Sequence, residues 1–180
     1  GIPVLGALPR LKDSELPERH MGLVPIYEYG SVEDPIKTLS DRVAAHIDLD
    51  AVLRVAHSAE AIDLSDLPDR SNWIDKSVKI GILKDEAFQF YYPENLEELQ
   101  NRGAELIYIN ALDESHLPDI DCLYIGGGFP ETNALRLAEN RPFRESLRTA
   151  IEAGLPVYAE CGGLMFLGKS ITVEGKDYEM

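Results

Sequence analysis

One stretch near the end of the chain decides the fold: residues 157–163 read Val-Tyr-Ala-Glu-Cys-Gly-Gly, and Leu-Met-Phe-Leu follows at 164–167. A short apolar strand leads through a single cysteine into two glycines and then into a helix-like segment. A residue at the tip of such a strand-to-helix turn needs small neighbours two positions away, and Ala159 and Gly163 meet that need. The pattern predicts a nucleophile elbow in an α/β protein, with Cys161 at its tip.

Cys161 at this position is suited to nucleophilic chemistry. A thiol at the first turn of a helix lies near the positive end of the helix dipole, which stabilises the thiolate. Unpaired cysteines are also among the most buried residues, and many of them only pack against their neighbours. The cysteine alone therefore leaves both a catalytic and a structural role open.

A second motif favours the catalytic role. Residues 122–131 read Cys-Leu-Tyr-Ile-Gly-Gly-Gly-Phe-Pro-Glu, an apolar strand that ends in the glycine loop, Gly126, Gly127 and Gly128. In acyl transfer at an elbow, the oxyanion is held by the N–H after the nucleophile, here Gly162, and by one from another strand-to-helix loop. Gly127 or Gly128 would supply the second donor. A phosphate cradle is disfavoured, since the glycines match neither a P-loop nor G-x-G-x-x-G.

Composition restricts the class of protein. The 180 residues, 44% of them hydrophobic, can bury one good core or two small ones. No apolar run approaches the ~20 residues of a membrane span. The net charge of -15 repels phosphate backbones and argues against nucleic acid as a partner. Two cysteines cannot form a disulfide framework, which favours a cytoplasmic location.

The chain divides into a short first part, a linker and a regular second part. We predict a buried strand over residues 1–9, one amphipathic helix over 34–57 and an acidic, turn-rich linker over 58–77. The second part alternates strands with helices; the strands cover 78–83, 105–109, 121–125 and 157–159, and the helices 93–102 and 142–153. This alternation predicts a parallel sheet with helices on both faces and ligands at the carboxyl ends of the strands.

The chain resembles the glutamine-dependent cobyrinic acid a,c-diamide synthases. Residues 16–24, 85–92, 124–131 and 158–167 carry the resemblance. Family members join an ATP-dependent amide-forming domain, similar to dethiobiotin synthetase, to a flavodoxin-like class I glutamine amidotransferase domain. The resemblance implies that residues 1–57 end a P-loop-type α/β synthetase domain, that 58–77 are a linker, and that 78–180 are an amidotransferase domain truncated at its C-terminus. We therefore expect a fragment of a longer polypeptide.

The resemblance also implies a reaction and its residues. Cys161 becomes the glutaminase nucleophile, and Gly126, Gly127, Gly128 and Gly162 surround the glutamine carbonyl. The parent enzyme would use the released ammonia, with ATP and Mg²⁺, to amidate the a and c acetate groups of cobyrinic acid. ATP and Mg²⁺ would be bound mainly by residues outside this chain, and no metal ligand is assigned within it. Self-association into a homo-oligomer is left open.

Three other families share some or all of these motifs. The nickel-sirohydrochlorin a,c-diamide synthases share them all, so the tetrapyrrole substrate stays open. Cobyric acid synthases have a similar glutaminase, but the glycine loop and residues 85–92 match the a,c-diamide enzymes better. DJ-1/PfpI-type cysteine hydrolases or chaperones have a similar elbow without an ATP-using partner. They usually place histidine directly after the cysteine, where this chain has Gly162.

The general base and an aromatic segment are less easily assigned. The resemblance implies a histidine well downstream of Cys161, whereas His20, His46, His57 and His116 all precede it. We therefore expect residues 1–180 alone to hydrolyse glutamine at near-background rates.

The aromatic segment, residues 88–92 (Phe-Gln-Phe-Tyr-Tyr), is either a packed loop at the sheet edge or a lining of the synthetase contact or ammonia route. The preceding acidic pair, residues 85–86, is equally open.

Overall fold

The computed structural model describes residues 1–11, 33–61 and 77–180. The chain forms two compact units, Gly1–Leu67 and Pro68–Met180. Their boundary falls within residues 58–77, the predicted linker, of which 62–76 lie outside the described residues. Residues 16–24 and His20 lie outside them too. In the part of the chain that the structure describes, no helix is long and apolar enough to cross a membrane.

Over residues 33–58, the described part of the first unit contains two helices where the sequence predicts one. Helix α1 spans Glu33–His46 and helix α2 spans Leu49–His57. The single-helix prediction was wrong because Asp48 starts a new helix: its carboxylate accepts a hydrogen bond from the Ala51 N–H at 2.8 Å. Aspartate is a favoured residue at this capping position. The Asp48 N–H donates instead to the Leu5 carbonyl, 2.8 Å away.

The predicted buried strand over residues 1–9 was also wrong. This segment makes one isolated β-bridge, between Gly6 and Ile47. Within it only Leu5 is half-buried, and the other side chains are exposed. Pro3 and Pro9 carry no N–H for a strand ladder, which helps to explain why apolar residues here do not form a strand.

The second unit is built on a parallel sheet. Its strands are β1 (Val78–Leu83), β2 (Phe88–Phe90), β3 (Ala104–Ile109), β4 (Cys122–Ile125), β5 (Gly127–Gly128), β6 (Val157–Ala159), β7 (Ser170–Val173) and β8 (Lys176–Glu179). Its helices are α3 (Pro93–Asn101), α4 (Ala134–Glu139), α5 (Arg141–Glu152) and α6 (Gly162–Phe166), with a 3₁₀ turn over Pro130–Asn133. The main sheet has the order β3-β1-β4-β6, with every pair parallel. This is the flavodoxin-like order, so the predicted fold class is confirmed.

Helices cover both faces of this sheet. Successive side chains of a strand point to opposite faces. Ile82 belongs to a small cluster that includes Leu96 of α3. Its neighbour Leu83 belongs to the main cluster, with Phe143 of α5 and Phe166 of α6. The two-faced covering that the sequence predicts is therefore confirmed.

The strand order places the candidate site. The chain runs from β1 outward to β3 and then returns to the other side of β1 to form β4. Ligands of such sheets bind outside the carboxyl ends of the strands, where the strand order reverses. Here that point lies between β1 and β4. The glycine loop follows β4, and Cys161 follows the adjacent strand β6.

Two small antiparallel pairs were not predicted. Strand β2 pairs with β5, and β7 pairs with β8. Strand β5 consists only of glycine, which is depleted in strands and carries no signal of strand formation. The β2–β5 pair matters most for the site, because it joins the aromatic segment to the glycine loop.

Candidate active site

The elbow has a strained backbone at the predicted nucleophile. Cys161 has φ 48° and ψ -114°, a positive φ that side chains other than glycine rarely adopt. Such a conformation costs on the order of 1–3 kcal/mol and persists only where the surrounding structure enforces it. Here the Glu160 N–H donates to the Ile125 carbonyl at 3.1 Å, and the Gly163 N–H donates to the Gly126 carbonyl at 3.1 Å. These bonds fasten both sides of Cys161 to the end of β4.

The two glycines after Cys161 let the elbow touch the glycine loop. A Cβ atom on Gly163 would lie 2.6 Å from the Ile125 carbonyl oxygen. One on Gly162 would lie 2.8 Å from Pro130 Cδ and 2.9 Å from the Gly128 oxygen. Small residues are thus required at both positions, and the sequence motif predicts this for Gly163. At Gly163 the nearest atoms belong to the end of β4 rather than to Ala159, the neighbour that the motif suggested.

The glycine loop lies directly beside the thiol. A Cβ atom on Gly127 would be 3.4 Å from Cys161 Cβ and 3.4 Å from Phe90 Cβ. Gly128 pairs with Phe88, and its missing side chain would overlap the carbonyl oxygen of Ala87. The structure therefore brings together Cys161, Gly127 and, through the contacts of Gly162, Gly128.

Gly126 is engaged differently from the other predicted site glycines. Its N–H donates to the Tyr91 hydroxyl, 2.8 Å away. A Cβ atom on it would lie 2.7 Å from the Tyr91 ring. Gly126 is therefore the point at which the glycine loop is attached to the aromatic segment.

A cleft opens at the thiol. It encloses about 440 Å³, which is within the size range of small-molecule sites. Its lining comprises Gln89, Phe90, Tyr91, Tyr92, Gly127, Glu160 and Cys161. The Cys161 side chain is exposed and unpaired. An exposed thiol thus borders a cavity large enough to admit an amino acid.

The aromatic segment is divided between the core and the cleft. Phe88 is fully buried, and its ring centroid lies 5.3 Å from that of Phe166. Phe90 meets Phe129 edge to face at 5.3 Å and also borders the cleft. Residues 88–90 thus form a short strand that runs from the core to the cleft, and the two tyrosines after it also line the cleft. Its proposed contribution to a synthetase contact or an ammonia route stays a prediction.

Asp85 holds the loop after β1 in place. One carboxylate oxygen accepts from the Ala87 N–H at 2.8 Å and the Phe88 N–H at 3.2 Å. The other accepts from the Ala111 N–H at 2.8 Å. Burial raises the pKa of Asp85 above its usual range, while these three backbone bonds act in the opposite direction. The neighbouring Glu86 pairs with the Arg136 guanidinium at 2.6 Å on the surface.

Sequence reasoning missed the role of Glu160. Its carboxylate accepts a hydrogen bond from the Tyr124 hydroxyl at 2.8 Å. Burial, together with that bond and the charge of Glu160, raises the pKa of Tyr124 to about 12. Glu160 borders both the cleft at Cys161 and a second cavity of about 600 Å³ beside β4 and β6. The sequence offered one signal for Glu160, since it directly precedes the predicted nucleophile Cys161.

His116 does not lie at the elbow end of the sheet. It is in the loop before β4, with a ring nitrogen 2.7 Å from the Ser115 hydroxyl. Strands β4 and β6 are parallel. The residues before β4 therefore lie at the amino ends of the strands, and those after β6 lie at the carboxyl ends. His46 and His57 belong to the first unit.

Comparison with known proteins agrees with this geometry. A family model for the CobB/CobQ-like glutamine amidotransferase domain matches residues 79–180. The cobyrinate a,c-diamide synthase of Listeria innocua is 46% identical over 99% of this chain and 39% of its own length. Those of Archaeoglobus fulgidus and Caldanaerobacter subterraneus are 42% and 44% identical, over 100% and 99% of this chain and 39% of their own lengths. The chain therefore spans about two fifths of the length of these curated relatives.

These matches confirm the resemblance seen in the motifs. The family model covers the main sheet, the glycine loop and the elbow. The cysteine and glycines that meet at the cleft are therefore parts of a known kind of domain. The chain belongs to the family of CobB/CobQ-like glutamine amidotransferase domains.

Proposed function

We propose that this chain releases ammonia from glutamine for an ATP-dependent amidation of the a and c acetate groups of cobyrinic acid. One observation carries the proposal: the exposed thiol of Cys161 stands at a strained elbow, beside the glycine loop and at the mouth of a cleft. The names of the relatives support the choice of cobyrinate as substrate. Nothing in the comparisons favours a DJ-1/PfpI-type hydrolase.

The proposed reaction proceeds through a thioester. The Cys161 thiolate attacks the side-chain amide carbon of glutamine, and the negative charge moves to the carbonyl oxygen. N–H groups of Gly162 and of Gly127 or Gly128 hold that oxygen, while Gly126 keeps the loop in position. The C–N bond then breaks, the nitrogen takes up a proton and leaves as ammonia, and a thioester remains. Water hydrolyses the thioester to glutamate and restores the thiol.

His116 is not proposed as the general base of this reaction. A base must lie within hydrogen-bond reach of the proton that it transfers, directly or through one water molecule. His116 precedes β4, whereas Cys161 follows β6. Because these strands are parallel, the two residues lie at opposite ends of the strands.

ATP and Mg²⁺ are proposed for the complete reaction only. The residues of this chain do not fit a nucleotide site, because the sequence contains no glycine-rich P-loop followed by lysine and serine or threonine. In the described ranges, no three His, Cys, Asp or Glu side chains group as metal ligands. No step is therefore assigned to ATP or Mg²⁺ here.

We place the reaction in the cytoplasm, which agrees with two free cysteines.

The test compares two nitrogen donors in the complete natural polypeptide. Cys161→Ser should abolish amidation of cobyrinic acid with glutamine, yet leave amidation with ammonium chloride unchanged. The matched control is Cys122→Ser, at the other cysteine of the 180-residue chain, which should leave both activities intact. Equal loss with both donors in Cys161→Ser would contradict the proposal. Offering nickel-sirohydrochlorin in parallel identifies the preferred tetrapyrrole.

A further inference from the structure

Tyr91 connects two strands through one hydroxyl group. The hydroxyl donates to the carbonyl of Leu83, the last residue of β1. It accepts from the N–H of Gly126, the first residue after β4, at 2.8 Å. These strands flank the point at which the strand order reverses. One side chain thus holds together the carboxyl ends of both strands beside the cleft.

The ring of Tyr91 also packs against its neighbours. It meets the Tyr124 ring edge to face, with centroids 5.1 Å apart. It also occupies the space that a side chain at Gly126 would need, since a Cβ atom there would lie 2.7 Å from the ring. A tyrosine hydroxyl keeps its proton at neutral pH, and burial raises the pKa of Tyr91 further. The phenol can therefore donate and accept at the same time.

The glycine loop continues directly from this anchor to the nucleophile. Gly127 follows Gly126, and its Cβ position is 3.4 Å from Cys161 Cβ. A displacement of Gly126 therefore changes the distance between the glycine-loop N–H groups and the reacting carbonyl. Misplacing such groups by about 1 Å can slow a reaction by about 10²-fold.

We propose that Tyr91 is a positioning residue for glutamine hydrolysis, which fixes Gly126 and so orients Gly127 and Gly128 toward the bond that Cys161 attacks. Tyr91 acts through the loop and does not touch the reacting atoms. The inference rests on the proposed glutaminase function and adds to it a residue outside the nucleophile and the oxyanion donors.

The experiment uses Tyr91→Phe in the complete natural polypeptide. Phenylalanine keeps the ring and removes only the hydroxyl, so the contact with Tyr124 is retained. Tyr108→Phe is the matched control, because Tyr108 is an exposed residue on the edge strand β3 and does not line the cleft. The probes are glutamine, ammonium chloride, iodoacetamide, and a diazoketone analogue of glutamine.

We expect Tyr91→Phe to lower the kcat for glutamine by about 10-fold to 10²-fold, with ammonia-dependent amidation unchanged. Inactivation by the diazoketone should slow to a similar extent, because it requires the same carbonyl orientation. Alkylation of Cys161 by iodoacetamide, which needs only an accessible thiol, should stay within about twofold of wild type, since the hydroxyl does not contact the thiol. Tyr108→Phe should match wild type in all four measurements.

Other results would overturn the proposal. Wild-type rates of glutamine hydrolysis and diazoketone inactivation in Tyr91→Phe would show that the hydroxyl does not position the loop. A parallel loss of ammonia-dependent activity would show a general folding defect instead. If the wild-type protein itself neither hydrolyses glutamine nor reacts with the diazoketone, the proposed function fails, and this inference fails with it.

Discussion

Gly127 and Gly128 are adjacent in the glycine loop, yet a methyl group would meet different surroundings at each. At Gly128 it would overlap the Ala87 carbonyl oxygen and lie 2.9 Å from Phe88 Cα, and both are backbone atoms. Gly128→Ala must therefore displace the β2–β5 pair, and overpacking of this kind costs about 1–3 kcal/mol. At Gly127 the nearest atoms are side-chain carbons at 3.4 Å, an ordinary contact.

Gly127→Ala should consequently separate activity from stability. We expect its free energy of unfolding to change by at most about 1 kcal/mol, because alanine also restricts the unfolded chain. The new methyl group takes up space beside Cys161, so glutamine hydrolysis should slow by about 10²-fold. Gly128→Ala should lose stability as well as activity.

The assay pairs urea unfolding, followed by far-ultraviolet circular dichroism, with glutamate release by the complete natural polypeptide. The reasoning would be refuted if Gly128→Ala were as stable as wild type. It would also be refuted if Gly127→Ala lost as much stability as Gly128→Ala. Ammonia-dependent amidation serves as the internal control, and Gly127→Ala should leave it unchanged.

Four further predictions concern stability and reactivity. Asp85→Asn should lower the free energy of unfolding in urea by about 1–3 kcal/mol, because an amide cannot accept all three backbone N–H bonds. Phe143→Ala, at a fully buried position, should cost about 3–5 kcal/mol in the same assay. Iodoacetamide should modify exposed Cys161 before Cys122, whose pKa is raised mainly by burial, as peptide mass mapping would show. Because folding raises the pKa of Tyr124 from 10.0 to about 12, stability should fall as pH rises through that window, and Tyr124→Phe should flatten this fall.

The main sheet could be predicted because its strands have a strong local signal. Strands of a parallel sheet are buried on both faces and therefore appear as nearly continuous apolar runs. The run that ends at Ile82 and Leu83 and the run around Leu123 and Ile125 are of this kind. The elbow could be predicted from the small residues around Cys161, although the atoms that crowd Gly162 and Gly163 belong to the end of β4 and the residues after it.

The missed features depend on contacts between distant parts of the chain. The hydrogen bond between Tyr91 and Gly126 joins residues 35 positions apart, and no local pattern encodes it. Strand β5 exists because the aromatic segment lies beside two glycines, not because glycine favours strands. The break between α1 and α2 is different: Asp48 is a good N-cap, but the surrounding apolar periodicity outweighed it in the prediction.

The β2–β5 ladder has a consequence for redesigning the specificity of this domain. At the nucleophile, one wall of the cleft is Gly127, which pairs with Phe90 in this ladder and has no side chain to shorten. Substitution at Gly127 therefore cannot widen the cleft to admit a bulkier amide donor. Two walls that substitution can change are Gln89 and Tyr92, whose side chains border the same cavity. A library aimed at new nitrogen donors would therefore vary these two positions and leave the glycines untouched.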